Sequence, residues 1–189
     1  MLVFGKGYHF SSLDYLCAPP IVGTMIIRPA SPSDWPAIWA VIEPVIRASD
    51  TYALDPAMRE EEARSYWMGA DKCVFVAEER RADGSPFMLG TYYLRANQAG
   101  GGAHVANCGY MTSEAARGKG VARAMCLHSL EEAKARGFRA MQFNFVVSSN
   151  EGAVYLWEKL GFAIIGRLPG AFLHPALGYV DALVMHREV

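Results

Sequence analysis

The stretch Arg117-Gly118-Lys119-Gly120-Val121-Ala122 organises everything around it. It lies between a strand pattern, His104–Met111, and a helical pattern that runs to Arg136. Small residues at a strand-to-helix turn let the backbone approach a ligand, and the first amides of a helix point outward toward an anion. Two phosphate-binding patterns fail on spacing. A dinucleotide fingerprint needs glycine where Arg123 stands, and a Walker loop needs a glycine five positions before a Gly-Lys-Ser/Thr run, which is absent. The spacing that fits is Gln/Arg-x-x-Gly-x-Gly/Ala, filled by Arg117, Gly120 and Ala122. An ordinary turn before a helix has the same composition.

Working outward, the helix over Gly118–Arg136 pairs Glu132 with Arg136 and Glu131 with Lys134 on a solvated face, and Gly137 ends it. Downstream come a strand at Met141–Val147, a helix at Asn150–Leu160, a strand at Phe162–Leu168, a loop at Gly170–Gly178 and a closing strand at Tyr179–Arg187. Upstream, Met25–Pro29 reads as a strand. Ser33 caps a helix that Pro44 should kink or split. A second helix is expected to open at Asp55-Pro56 and reach Trp67. Strands follow at Lys72–Glu79 and Phe87–Asn97, joined by a turn at Ala82–Ser85, and Gly100–Gly102 makes a flexible loop. Strands alternating with helices place the chain in the α/β class.

The helix after Met141–Val147 carries a second pattern: Asn150-Glu151-Gly152-Ala153-Val154-Tyr155-Leu156-Trp157-Glu158-Lys159-Leu160-Gly161-Phe162. Together the two segments resemble the GCN5-related N-acetyltransferase (GNAT) superfamily. The first is similar to its pyrophosphate loop, and the second to its Asn-x-x-Ala-x-x-Leu-Tyr-x-x-x-Gly-Phe element. The resemblance spans roughly 25–189. It implies a mixed central sheet of six to seven strands, splayed between the fourth and fifth, with about four helices. It also implies acetyl-CoA in the splay, with Arg117, Gly118, Lys119, Gly120, Val121 and Ala122 at the pyrophosphate. Met111 and Thr112 would meet the pantetheine through their backbone and supply an oxyanion donor. Asn150 would hydrogen-bond the pantetheine arm, and Trp157 would lie near the thioester.

One position departs from the family pattern. Trp157 stands where tyrosine often protonates the leaving thiolate, and an indole N–H does not titrate usefully. Acid catalysis there is expected to be absent; Trp157 also suits a purely structural aromatic.

The 189 residues fit one domain, and 52% hydrophobic with 20% charged residues excludes a disordered chain. Eighteen basic against 19 acidic residues, a formal net charge of -1, lacks the basic excess of a general nucleic-acid binder. No window of about 18 apolar residues exists to span a membrane. Residues 1–24 differ in texture from the rest and make a poor signal peptide, so the expected domain is 25–189 behind an extension of uncertain origin. Cys17, Cys73, Cys108 and Cys126 form no metal-spaced pair, nor do the five histidines with each other. Free thiols and no metal are expected, in a reducing cytoplasmic setting.

Amine acetylation needs a neutral nucleophile, and an amine with a pKa of about 10.4 is only about one part in 10³ neutral at pH 7. Many family members place a glutamate on the strand before the glycine loop. Here that strand, His104–Met111, has no acid and carries Asn107, while Asn144 lies on the next parallel strand. The pair, with Asn150, resembles the branch that acetylates proline analogues such as azetidine-2-carboxylate. There the two asparagines hold the substrate or its bridging water, which makes Asn107 and Asn144 the candidate catalytic residues. Both could instead satisfy strand irregularities. His174, Asp181 and Glu114 rank below them.

The resemblance thus implies an acetyl-CoA-dependent N-acetyltransferase that acts on a small amine or amino acid by direct attack on the thioester. It involves no nucleic acid or membrane and leaves a homodimer open. The rival is a non-catalytic or protein-directed acyl-CoA-binding domain.

Overall fold

Among the described residues, seven strands and four helices follow in the order β1 (Ile26–Pro29), α1 (Trp35–Ala48), α2 (Glu60–Trp67), β2 (Cys73–Arg80), β3 (Pro86–Ala96), β4 (Val105–Thr112), α3 (Val121–Ala135), β5 (Ala140–Val147), α4 (Glu151–Lys159), β6 (Ala163–His174) and β7 (Gly178–Glu188). The computed structural model describes residues 25–81 and 83–189; the extension over 1–24, with Cys17, lies outside the described residues. The strands form one sheet in the order β1-β2-β3-β4-β5-β7-β6. Every neighbouring pair is antiparallel except β4 with β5.

Strand alternation sends side chains to two cores. On one face Trp35, Ile38, Ile42 and Ile46 of α1 and Trp67 of α2 pack on Val76, Tyr93 and Met111. On the other, Val121, Met125, Cys126 and Leu130 of α3 and Trp157 of α4 pack on Tyr92, Leu94, Met141 and Phe143. Each large apolar side chain fully buried in this way contributes about 1.5–3 kcal/mol. Trp67 is wholly buried and places its indole N–H on Thr91 Oγ1 at 3.1 Å, so no polar cost remains.

Several expectations need correction. Ser33 is not the cap: Ser31 donates from N and Oγ to Asp34 Oδ2, opening a 3-10 turn before α1. Arg28 grips both Asp34 oxygens and Glu78, each at 2.8 Å, which ties that turn to β1 and β2. Helix α1 runs unsplit through Pro44 because its apolar stripe continues to Ile46. Asp55-Pro56 makes a turn instead of a helix start. Asp55 Oδ1 accepts from Ala57 N, and α2 begins only where Arg59 N meets Glu62 Oε2. The three glycines at 100–102, expected as a flexible loop, form a 3-10 turn. The loop expected at Gly170–Gly178 is mostly strand. A register shift between Leu168 and Phe172 absorbs Pro169 and Gly170, and only three residues link β6 to β7.

Candidate functional site: the cleft between β4 and β5

The parallel pair β4–β5 is joined only at Val105–Ala140 and Ala106–Met141. Past that point the strands part. At the fork Asn107 Nδ2 donates to the Gln142 carbonyl at 2.9 Å, so a side-chain amide takes over where the backbone ladder stops. Beyond the fork lies a cavity of about 290 Å³, near the lower end of small-ligand pockets, which run about 300–1,000 Å³.

The cavity has two unlike walls. Toward α3 and α4 it is lined by Cys108, Tyr110, Phe143 and Trp157. The Trp157 ring centroid lies 5.2 Å from that of Tyr110 and 5.1 Å from that of Phe143, so the indole is part core and part wall. Tyr110 Oη sits 2.7 Å from Ser129 Oγ, which donates to the Cys126 carbonyl. Burial pushes the Cys108 thiol up to about 12, so it is a poor nucleophile at neutral pH.

Toward α1 and α2 the wall is polar: Tyr52, Tyr66, Tyr93, Arg95, Asn107 and Asn144. Asn144 is held at both ends, donating to Asn97 Oδ1 at 2.6 Å and accepting from Gln142 Nε2 at 2.8 Å. Tyr52 donates its hydroxyl to the Tyr110 carbonyl at 2.8 Å. Tyr93 lies across Gly109, where a Cβ would come within 2.7 Å of the ring; only glycine leaves it room. Burial raises the Tyr52 and Tyr93 phenols well above the usual range, so both stay neutral. Among the described residues, no Asp, Glu or His lines the cavity.

The glycine turn lies just ahead of α3. Gly118 and Gly120 have φ of +73° and +76°, a conformation L side chains rarely adopt, and nothing stands within 4 Å of a Cβ built at either. No side chain caps α3, so its first-turn amides at Val121 and Ala122 are open to an anion beside exposed Arg117 and Lys119. Asn150 caps α4 through Oδ1 on Ala153 N and also lines the cavity. Two buried hydroxyls with no partner, Ser113 and Ser149, lie on the loops after β4 and β5. An open amide cradle, a β4 edge that has no strand partner beyond the fork among the described residues, and these orphan hydroxyls fit a phosphate-tailed thioester with an amide-rich arm.

A family profile described as "Acetyltransferase (GNAT) family" matches residues 33–162. The chain belongs to this family. As a GNAT acetyltransferase it is similar to a structure of a GCN5-related N-acetyltransferase from Kribbella flavida, with 45% identity and a TM-score of 0.81, covering 87% of this chain and 98% of that one. It is also 29% identical over 151 residues to N-acetyltransferase aca1 of Schizosaccharomyces pombe, covering 74% of this chain and 72% of the relative. A phosphinothricin acetyltransferase from Sinorhizobium meliloti in complex with AcCoA has the same fold at a TM-score of 0.75 and 20% identity, covering 88% and 89% of the two chains.

The cleft of this GNAT domain gathers Asn107, Asn144, Asn150 and Trp157 around one space. Met111 and Thr112 do not line it. The Met111 side chain is buried in the α1/α2 core, and both residues pair with β3 along their other edge. His174 and Asp181 fall outside the cavity. His174 Nδ1 accepts from Ala176 and Leu177 amides, and Asp181 holds Arg167 at 2.7 Å and the Gly170 amide at 2.8 Å. The sequence reading missed Tyr52, Tyr66, Tyr93, Arg95 and the Gln142 and Asn97 amides that hold Asn144. The register opposing Arg95 to Asn107 was the one signal within reach, and it needs the strand pairing to be known.

Proposed function

We propose that this acetyltransferase uses acetyl-CoA to acetylate a small amine or amino acid, with proline analogues the class suggested by Asn107 and Asn144. The observation that carries this reading is the two-walled cavity at the β4–β5 fork. One wall is largely aromatic and faces the core under α3 and α4, and the other is lined by amides and phenols. The AcCoA in the Sinorhizobium meliloti relative and the activity in the name of aca1 agree with it.

Acetyl-CoA would supply an activated acetyl thioester. The amides of Gly118, Gly120, Val121 and Ala122 with the side chains of Arg117 and Lys119 would hold its pyrophosphate, Asn150 its amide arm, and Trp157 would pack beside the thioester. The amide wall orients the amine, and such positioning is worth effective molarities of about 10⁵–10⁸ M. The amine lone pair forms the new C–N bond, the C–S bond breaks, and coenzyme A leaves as thiolate. The amine proton passes to water, since no carboxylate or imidazole of the described residues lines the cavity.

The test is free-thiol release from acetyl-CoA across an amine panel. Acceptor-dependent release with an N-acetylated product is expected. Tight acetyl-CoA binding without release for any acceptor would favour a binding domain instead.

A further inference from the structure

Arg95 is the one charged residue that lines the cavity among the described residues. It stands opposite Asn107 in the β3–β4 register, so the two side chains leave the sheet on the same face. Its Nη1 reaches Asp71 Oδ2 at 3.2 Å on the exposed side. Its Nε is buried and has no hydrogen-bond partner. A guanidinium binds a carboxylate side-on through Nε and Nη2, and Asp71 takes the nitrogen on the other side. A buried charged donor left unmet is costly, and an acceptor oxygen arriving in the cavity would relieve it.

The surrounding charge has the same sign. Lys72 is nearly buried and lies 5.1 Å and 5.5 Å from the ring centroids of Tyr66 and Tyr93, both cavity residues. Lys72 and Arg95 share one carboxylate, Asp71, so two cations meet one anion. With no acidic lining residue among the described residues, they offer a second ammonium group no partner in the cavity. A polyamine or another polycationic acceptor would enter against this field.

We infer that Arg95 is a specificity-determining residue whose free Nε edge binds a carboxylate on the acceptor, selecting amino acids over uncharged or polycationic amines. This rests on the acetyltransferase activity proposed above. The acceptor amine then lies toward the fork and its carboxylate toward β3. The carboxylate completes a charge-assisted pair that the free protein leaves open.

The experiment compares kcat/KM for proline or azetidine-2-carboxylate with that for the matching carboxamide, in the native protein and in Arg95→Gln. The carboxamide differs in amine pKa, but that difference cancels when the acid-to-amide ratio is compared between proteins. The ratio should fall about 10- to 100-fold in Arg95→Gln, carried by KM, with partial recovery in Arg95→Lys, which restores charge without the fork. Acetyl-CoA affinity by calorimetry should stay within about twofold. A second variant, Asp71→Asn, leaves the guanidinium in place and removes its competitor, and should lower KM for the carboxylate acceptor a few-fold. An unchanged ratio in Arg95→Gln, or an unchanged or raised carboxylate KM in Asp71→Asn, overturns the assignment while leaving the acetyltransferase reading intact. Thiol release with neither member of any pair in the native protein overturns that reading instead.

Discussion

The two walls of the β4–β5 cleft were built by different means. The glycine turn, Asn150 and Trp157 come from two short continuous segments, 117–122 and 150–162, and Cys108, Tyr110 and Phe143 complete the α3/α4 wall from β4 and β5. The α1/α2 wall takes single residues from a loop, a helix and three strands. Cofactor chemistry that needs bare backbone constrains consecutive residues, because amides and φ angles are local. Acceptor chemistry needs a few side chains at the right places, and any element can supply them. The first wall is therefore expected to fail all at once when one residue is changed, and the second by degrees.

The largest effect is expected at Gly120→Glu. It forces a side chain into a left-handed position at φ +76° and sets a negative charge where phosphate would bind. Acetyl-CoA binding should fall more than 100-fold in calorimetry on a folded variant. Unchanged affinity would remove the glycine turn from the cofactor wall.

Asn144→Ala and Asn107→Ala come next. Losing either acceptor-wall amide should lower turnover about 10- to 100-fold with acetyl-CoA affinity within about threefold. Asn107→Ala should also cost about 1–3 kcal/mol in a thermal or denaturant melt, because the Gln142 carbonyl at the fork loses its donor. Normal kinetics in both variants would reduce the amide wall to a structural feature.

Trp157 separates packing from chemistry. Trp157→Phe should retain turnover within about tenfold, whereas loss of a general acid costs about 10²–10⁴-fold. Trp157→Ala should destabilise the fold by about 3–5 kcal/mol, since the indole is packed among Tyr110, Phe143 and Phe162. A drop beyond a hundredfold in Trp157→Phe, with affinity unchanged, would assign the indole N–H a part in the reaction.

This contrast also explains what could be read from the sequence. Gly118, Gly120, Asn150 and the Gly161-Phe162 pair announce themselves because each answers a backbone need that few residue types meet. Gly161 has φ +85° at the end of α4, and Asn150 caps its start. Arg95 in isolation looks like any solvent-facing strand residue. Only the pairing of β3 with β4 sets it beside Asn107, and only three-dimensional packing buries its Nε. The misplaced start of α2 has a similar cause. Asp-Pro serves both helix starts and turns, and the Arg59–Glu62 contact decides between them.

Proton handling gives a milder effect. Cys108 is pushed up to about 12 and the Tyr52 and Tyr93 phenols are raised further, so none ionises near neutrality. With these groups neutral, the fraction of neutral amine is what grows with pH in this reading. Log kcat/KM for the acceptor should climb with unit slope up to the acceptor's own pKa and shift with it across a panel. A fixed inflection shared by all acceptors would reveal a base supplied by the protein.

The smallest effect lies away from the cleft. Hydrogen bonds from Arg28 hold the Asp34 carboxyl well below the usual carboxylate range. Its stabilisation is present above the unfolded value of about 3.9 and is lost as pH falls toward the folded one. Asp34→Asn should flatten the acid limb of the stability curve below about pH 4 and leave the cleft's kinetics unchanged.

The claim that two opposed walls hold both substrates at once is tested most directly by initial rates with acetyl-CoA and acceptor varied together. Direct attack within a ternary complex predicts double-reciprocal lines that intersect. Parallel lines, with an acetyl group found on Cys108 by mass spectrometry when acceptor is withheld, would contradict it. They would show that one wall acts as an acyl carrier rather than a cradle.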